Sequence, residues 1–375
     1  MSNQISSPCF VLDECRLEKN LQLLHNIKLE SGAEIILAFK AFAMWHTFPL
    51  VKKYINGATA SSLNEVRLCN EEMKIKAHTY AVAYDENEFD EVSKNSSHLT
   101  FNSLAQFDQF GKMAQDAGVS CGLRVNPEYS DVETDLYNPS SSVSRLGITA
   151  EHFKDGLPEG IEGLHFHVLC ESDSYALEKV LENVEAKFGE LLRLAKWLNM
   201  GGGHAITREG YDTEHLISLI KRIQKKYDLQ VILEPGSAVA WQTGELHTRV
   251  LDIVENTGVK TAIIDASFTC HMPDCLEMPY RPELKIGYSN ADKAKHQYRL
   301  GGVSCLAGDF LEAYSFDEPL SIGDEIVFLD MIHYTMVKST YFNGVKHPSI
   351  GILKKSGEFK LVREFGYQDY KNRLS

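Results

Sequence analysis

Along the first two-thirds of the chain, short continuous apolar runs alternate with longer stretches whose apolar residues recur every three or four positions. The runs predict strands at 34–39, 57–60, 78–82, 97–101, 119–125, 161–168, 196–200 and 229–234. The amphipathic stretches predict helices at 47–55, 61–74, 86–94, 103–117, 174–195 and 211–227, with one more over 13–31 ahead of the first strand. Strands apolar on both faces, each followed in most cases by a helix, form a parallel sheet covered by helices. Eight of them in succession give a (β/α)8, TIM-like barrel.

The pattern changes near residue 244. Stretches such as "TAIIDAS", "YRLGGVSC", "EIVFLDM" and "SIGILKK" are separated by Gly, Pro and Asp turns, which predicts an all-β domain. The expected organisation is a barrel over 16–243 and a β-domain over 244–375 joined by the N-terminal residues 1–15. A polar stretch, 128–145, reads as a long loop within the barrel, and long loops in compact domains are often functional.

Composition narrows the class. The chain has 375 residues, 43% hydrophobic and 24% charged, as in ordinary globular proteins. No apolar run reaches the roughly 18 residues of a membrane span, and the start "MSNQISSPCF" lacks a signal-peptide pattern. A cytoplasmic protein without membrane association is expected. The net charge of −14 argues against a nucleic-acid partner and suits a cationic small one. Eight scattered cysteines read as free thiols in that setting. Cys270, His271 and Cys275, or His165 with His167, do not make up the four ligands of a structural zinc site, so no metal is expected.

Lys40 raises the chemical question. It interrupts "EIILAFKAFAMW", where an unpartnered charge would be costly to bury. Barrel enzymes keep their reactive groups at the C-terminal ends of the strands. Those ends carry Lys40, Arg124 with Asn126, His167, Gly201-Gly202-Gly203 and Glu234. Singly, each has a plain structural explanation; together they suit pyridoxal 5'-phosphate. A lysine amine of lowered pKa forms a Schiff base with the aldehyde. Glycines let backbone N–H groups approach a phosphate. An imidazole can stack on the pyridine face, and a carboxylate can keep the ring nitrogen protonated, making the ring an electron sink.

At these residues the chain resembles the fold-type III pyridoxal-phosphate decarboxylases, the ornithine, arginine and diaminopimelate group. "AFKAF", "FHV", "GGG" and "EPG" resemble the family's lysine, histidine, phosphate-glycine and pyridine-nitrogen motifs, in the family's order. Cys305 of "GGVSCLAGD" resembles its catalytic cysteine and Tyr334 of "MIHYTMV" its phosphate-binding tyrosine. The resemblance implies an alanine-racemase-type barrel with a C-terminal β-domain, Lys40 and Cys305 as catalytic residues, and a homodimer with shared active sites. Within the group, "LAFKAFAMW", "FHVLCE", "NMGGGH", "DASFTCHMPD" and "SCLAGD" are most similar to the branch acting on carboxynorspermidine and carboxyspermidine. That branch implies a cationic, polyamine-like amino-acid substrate and a place in polyamine biosynthesis. Candidate substrate contacts are Glu234, Ser237, Asp265, Asp274 and Asp309.

Departures from the wider group carry information. "LCE" follows the histidine in place of Gly-Ser, Ser237 stands where an arginine is usual, and Leu306 follows Cys305, delaying the acid to Asp309. They argue against ornithine or diaminopimelate as substrate. The alternatives are another basic amino-acid decarboxylase of the group, an amino-acid racemase, or a non-catalytic pyridoxal-binding protein. Glu234 speaks against the racemase, which gains from an unprotonated pyridine. The β-domain with Cys305 and Tyr334 speaks against the binding protein.

Overall fold

The computed structural model describes residues 5–132 and 138–375; residues 133–137 of the polar stretch lie outside the described residues. The chain divides into two compact units, Lys19–Val239 and Met1–Glu18 with Ala240–Ser375. Strand β1 (Cys9–Asp13) belongs to the second.

The first unit is a parallel barrel of β2 (Glu34–Ile35), β3 (Leu37–Ala38), β4 (Ala58–Ala60), β5 (Ala77–Tyr80), β6 (Ser96–Phe101), β7 (Ser120–Arg124), β8 (Ile161–His165), β9 (Trp197–Asn199) and β10 (Gln230–Leu233). The sheet order is β2-β10-β9-β8-β7-β6-β5-β4-β3. Its two ends are neighbours in the chain, separated only by Ile36. The N–H groups of Ile36 and Ala38 donate to Leu233 and Pro235 on one side, and those of Leu37 and Phe39 to Gly57 and Thr59 on the other. The predicted strand 34–39 is therefore one stave, split because it serves both neighbours, and it closes the barrel.

Short polar caps start the outer helices. Ser62, Asp85, Ser103, Asp173 and Asp212 accept backbone N–H bonds at the starts of Leu63–Leu68, Glu86–Lys94, Leu104–Asp116, Ser174–Leu192 and Thr213–Tyr227, satisfying donors that a helix leaves open. The helix expected over 61–74 is α-helical only to Leu68; a π-helical turn, Cys69–Met73, follows and Lys74 ends it at φ 57°. Inside the barrel, Trp197 occupies space that Gly122 and Gly163 leave on the neighbouring strands. A methyl group there would lie 2.2 and 1.9 Å from the indole, and the Trp197 N–H donates to Ser120 Oγ at 2.9 Å.

The second unit is a mixed sheet built on the long β11 (Gly244–Asn256), with β12 (Val259–Ile264), β13 (His296–Gly301), β14 (Phe310–Phe316), β15 (Glu325–Leu329), β16 (Ser349–Leu353) and β17 (Phe359–Arg363). The order is β14-β13-β12-β11-β1-β16-β17, with β15 also on β11. β1 runs antiparallel to β11 and parallel to β16. The unit is not purely β: a polar helix, Tyr367–Leu374, ends the chain.

One charge cluster in this sheet sets a pH dependence. His247 Nδ1 lies 2.9 Å from Glu325 and its Nε2 3.3 Å from Glu245, which also holds Lys285 at 3.1 Å. Burial opposes the charge on His247, yet the two carboxylates outweigh it and raise its pKa. Glu245, bonded to His247, falls to about 2. A raised histidine contributes stability that is complete below its unfolded pKa of about 6.5 and is lost as pH rises through the folded value. A depressed carboxylate contributes above about pH 4.3 and loses that contribution as pH falls toward its folded value. His247→Gln is therefore expected to cost about 1.5–3 kcal/mol near pH 6 and clearly less at alkaline pH. Thermal unfolding of wild type and variant across that range checks it; a constant difference would refute the assignment.

Candidate active site

The rim at the C-terminal ends of the barrel strands is assembled by backbone closeness. After β3 the chain turns back at once, Ala41 and Phe42 both donating to Ala38 O. Phe39, Ala41 and Phe42 are buried while Lys40 between them is exposed. Lys40 is thus not sunk in the interior as "EIILAFK" suggests: it stands past the strand end, in a well open to water but crowded by protein.

Lys40 Nζ lies 3.0 Å from His167 Nε2, and Gly202 N–H donates to His167 Nδ1 at 2.9 Å. A ring nitrogen that accepts carries no proton, so a neutral His167 is protonated at Nε2 and donates to Lys40. Only a neutral amine has a lone pair to accept that bond. The electrostatics agree. Burial, partly offset by Glu234, lowers the Lys40 pKa, and burial above all holds His167 well below its usual range. The arrangement presents a nucleophilic lysine.

Arg124, 4% exposed, ends β7. It donates to His167 O at 2.9 Å and lies 4.8 Å over the Tyr80 ring. Glu234, 8% exposed, follows β10. Its Oε1 accepts Asn199 Nδ2 at 2.7 Å, while Asn199 Oδ1 accepts Gly201 N–H at 2.8 Å. Burial raises the Glu234 pKa against the Asn199 bond and the Lys40 charge. His165, 2% exposed, has no hydrogen-bond partner at either ring nitrogen among the described residues; its Nε2 lies 3.9 Å from Glu234 Oε2. Sequence reading weighed His165 only as a metal ligand, and it missed Asn199 and Tyr80. Two signals could have found the first two: His165 is two positions from His167, and Asn199 is the last residue of its strand.

The glycines do not offer three free donors. Gly201 and Gly202 commit their N–H groups to Asn199 and His167. The three are glycine because strand ends meet there. A Cβ on Gly201 would lie 2.6 Å from Phe166 O, on Gly202 2.2 Å from Glu234 O, and on Gly203 1.9 Å from Leu169 O. Among the described residues, the Gly203 N–H has no hydrogen-bond acceptor. Asn126 pins the following loop, donating to Ser141 O and accepting from Glu128 N–H. Ser237 opens the short turn Ser237–Ala240.

The remaining candidates lie in the β unit. Asp309 is buried and accepts Ser267 Oγ (2.9 Å), Thr269 N–H (3.0 Å) and Ser304 N–H (3.0 Å). These three bonds give Asp309 a structural role in holding its own loop to the Ser267–Thr269 segment, beside the substrate contact expected of it. Asp265 likewise accepts Arg249 N–H at 2.9 Å. Asp274 differs: Oδ2 accepts Tyr280 Oη and Thr335 Oγ1 at 2.9 and 2.8 Å, but buried Oδ1 has no partner among the described residues. Cys305 is exposed. Tyr334 is half-buried at the start of the turn Tyr334–Val337.

A lysine whose pKa is lowered, beside an imidazole and near a buried carboxyl and arginine, suits condensation with a carbonyl group. A family model described as pyridoxal-dependent decarboxylase, C-terminal sheet domain, matches residues 9–332. The carboxyaminopropylagmatine decarboxylase of Synechocystis sp. is 50% identical over 373 residues, 99% of this chain and 96% of the relative. The carboxynorspermidine/carboxyspermidine decarboxylase of Campylobacter jejuni is 45% identical over 382 residues, 99% of each chain. A crystal structure of carboxynorspermidine decarboxylase complexed with norspermidine, from the same organism, superposes with a TM-score of 0.92 at 44% identity, covering 98% of this chain and 100% of that one. The chain belongs to the pyridoxal-dependent decarboxylases of the ornithine, diaminopimelate and arginine group. The donor set fits their cofactor, pyridoxal 5'-phosphate: an amine whose pKa is lowered, a buried carboxyl held by Asn199 and Thr59, and beside it a buried imidazole with no hydrogen-bond partner among the described residues.

Asn199→Ala removes the tie from β9 to Glu234 after β10 and the local bond to Gly201, leaving the Glu234 carboxyl and the Gly201 N–H buried without them. The cofactor-free protein is expected to lose about 1–3 kcal/mol, measured by denaturant unfolding; unchanged stability would show that water replaces the amide.

Proposed function

We propose that the chain decarboxylates a carboxylated polyamine, carboxynorspermidine or carboxyspermidine, as a homodimer. The Lys40 amine, 3.0 Å from the His167 imidazole on a rim that also carries the buried Glu234 and Arg124, is the observation that carries the catalytic reading, and the full-length likeness to the Campylobacter enzyme supports the substrate class. When bound, pyridoxal phosphate supplies an aldehyde for amines and a ring that accepts the electron pair left by departing CO2. Lys40 tethers it. Glu234, with Asn199 on Oε1, offers Oε2 to a ring N–H and so keeps that proton in place. Arg124 fixes the His167 main chain and thereby the ring that keeps Lys40 neutral. The Gly203 N–H, Ser237 and Tyr334 are the donors for the phosphate. Asp274 Oδ1 accepts from a substrate ammonium. Cys305 gives its S–H proton to the carbon that lost CO2 and recovers one from solvent.

A second reading has its own support: the relative from Synechocystis acts on carboxyaminopropylagmatine and is 50% identical. Agmatine ends in a guanidinium where spermidine ends in an ammonium, so the two readings differ at the far cation.

Three expected outcomes test this. Purified protein absorbs near-visible light through its lysine-linked cofactor, and Lys40→Ala loses both that band and turnover; a retained band would assign the tether to another lysine. CO2 release is expected from carboxynorspermidine or carboxyspermidine with a kcat/KM at least about tenfold above that for carboxyaminopropylagmatine or ornithine. A preference for carboxyaminopropylagmatine would select the second reading. One methylene is worth only about 1–3 kcal/mol in a pocket, so the first two substrates are measured separately. Finally, if two chains share each site, mixing inactive Lys40→Ala and Cys305→Ala subunits restores about a quarter of the sites after random exchange. No recovery despite demonstrated exchange would mean that each chain completes its own site.

A further inference from the structure

The loop bearing Cys305 is held closed from within. Gly302 N–H donates to Asp309 O (2.7 Å), Val303 N–H to Ala266 O (3.1 Å), Ser304 N–H to Asp309 Oδ2 (3.0 Å) and Asp309 N–H to Leu306 O (3.0 Å). Gly302 has no room for a Cβ, which would lie 2.4 Å from the Asp309 carboxylate. Cys305 itself is tied elsewhere: its N–H donates to Asn343 Oδ1 at 2.7 Å, across 38 residues of chain.

Asn343 is built for this bond. It occupies the left-handed region at φ 55°, ψ 9° inside the turn Phe342–Gly344, a conformation asparagine tolerates better than most side chains. The turn is anchored twice to Cys270 on the side leading into Asn343: Thr340 N–H donates to Cys270 O at 2.7 Å, and the buried Cys270 thiol lies 3.4 Å from Phe342 O. An exposed asparagine on an anchored turn thus fixes an exposed cysteine on a closed loop.

From this geometry we infer that Asn343 is a positioning residue for Cys305, its side-chain oxygen fixing the Cys305 backbone, and with it the Cα–Cβ bond from which the thiol projects, by holding the Cys305 N–H. The inference rests on the reading that Cys305 returns the proton after CO2 leaves. Proton return depends on the angle and distance between S–H and carbon, so a cysteine free to swing is a poorer donor even when its chemistry is intact.

Three substitutions separate the hydrogen bond from the backbone strain. Asn343→Gly keeps the left-handed turn but removes the acceptor; Asn343→Asp keeps the acceptor; Asn343→Ala loses the acceptor and strains the turn. Single-turnover proton return, kcat and KM, and the rate of Cys305 alkylation resolved by peptide mass are read for each, with cofactor absorbance and thermal unfolding as checks on folding. Asn343→Gly and Asn343→Ala are expected to lower proton return and kcat by roughly tenfold or more with KM little changed. Their Cys305 alkylation rates should also shift, and Asn343→Asp is expected to stay near wild type. Wild-type kcat and alkylation in a folded Asn343→Gly protein would overturn the inference. So would an Asn343→Asp variant as impaired as Asn343→Gly. Cys305→Ala, run in parallel, tests the underlying reading separately: near-normal turnover there would remove Cys305 as donor whatever Asn343 does.

Discussion

A hydrogen bond from an imidazole N–H to an uncharged lysine amine is the arrangement on which the rest of this rim depends. It exists only if His167 carries its proton on Nε2, and that holds because Gly202 N–H occupies Nδ1. Gly202 in turn can reach Nδ1 only because it has no side chain, since a Cβ would lie 2.2 Å from Glu234 O. The protonation state of Lys40 on one stave is therefore coupled to the close approach of two others. A β-branched or even an alanine residue at 202 would push β9 and β10 apart and free the imidazole to take its other tautomer. Burial alone would depress a lysine pKa without orienting the amine; the imidazole does both.

The same coupling explains what the sequence could and could not reveal. The barrel was readable because parallel strands buried on both faces leave continuous apolar runs, and the intervening helices keep a clean 3.6 period behind Ser and Asp caps. Lys40, His167 and Glu234 stood out as polar residues ending apolar strands. His165 and Asn199 were passed over since a polar residue inside or closing a strand also has ordinary structural uses, and only the missing partners of His165 and the paired bonds of Asn199 distinguish them. The three glycines were read as letting backbone N–H groups reach a phosphate, while the crowding that requires glycine comes from the protein's own backbone. Residue type tells what a group can bind; it does not tell which lone pairs and protons the fold has already used.

That distinction bears most on the acidic side chains. Fifty-two Asp and Glu against thirty-eight Lys and Arg suggest an attractive field for a polycation, and at long range such a field does raise encounter rates. Close recognition is another matter, because a carboxylate already saturated by the fold has nothing left to offer. Glu185 is shared by Arg222, Lys226 and Tyr227, and Glu245 is held by His247 and Lys285. Asp274 keeps a buried oxygen without a partner among the described residues. An unsatisfied buried acceptor costs about 1–3 kcal/mol, and a charged donor that completes it recovers that cost on binding. Steering is thus spread over the whole surface, while an oxygen that the fold has left unpaired is the kind of group that can tell one cation from another.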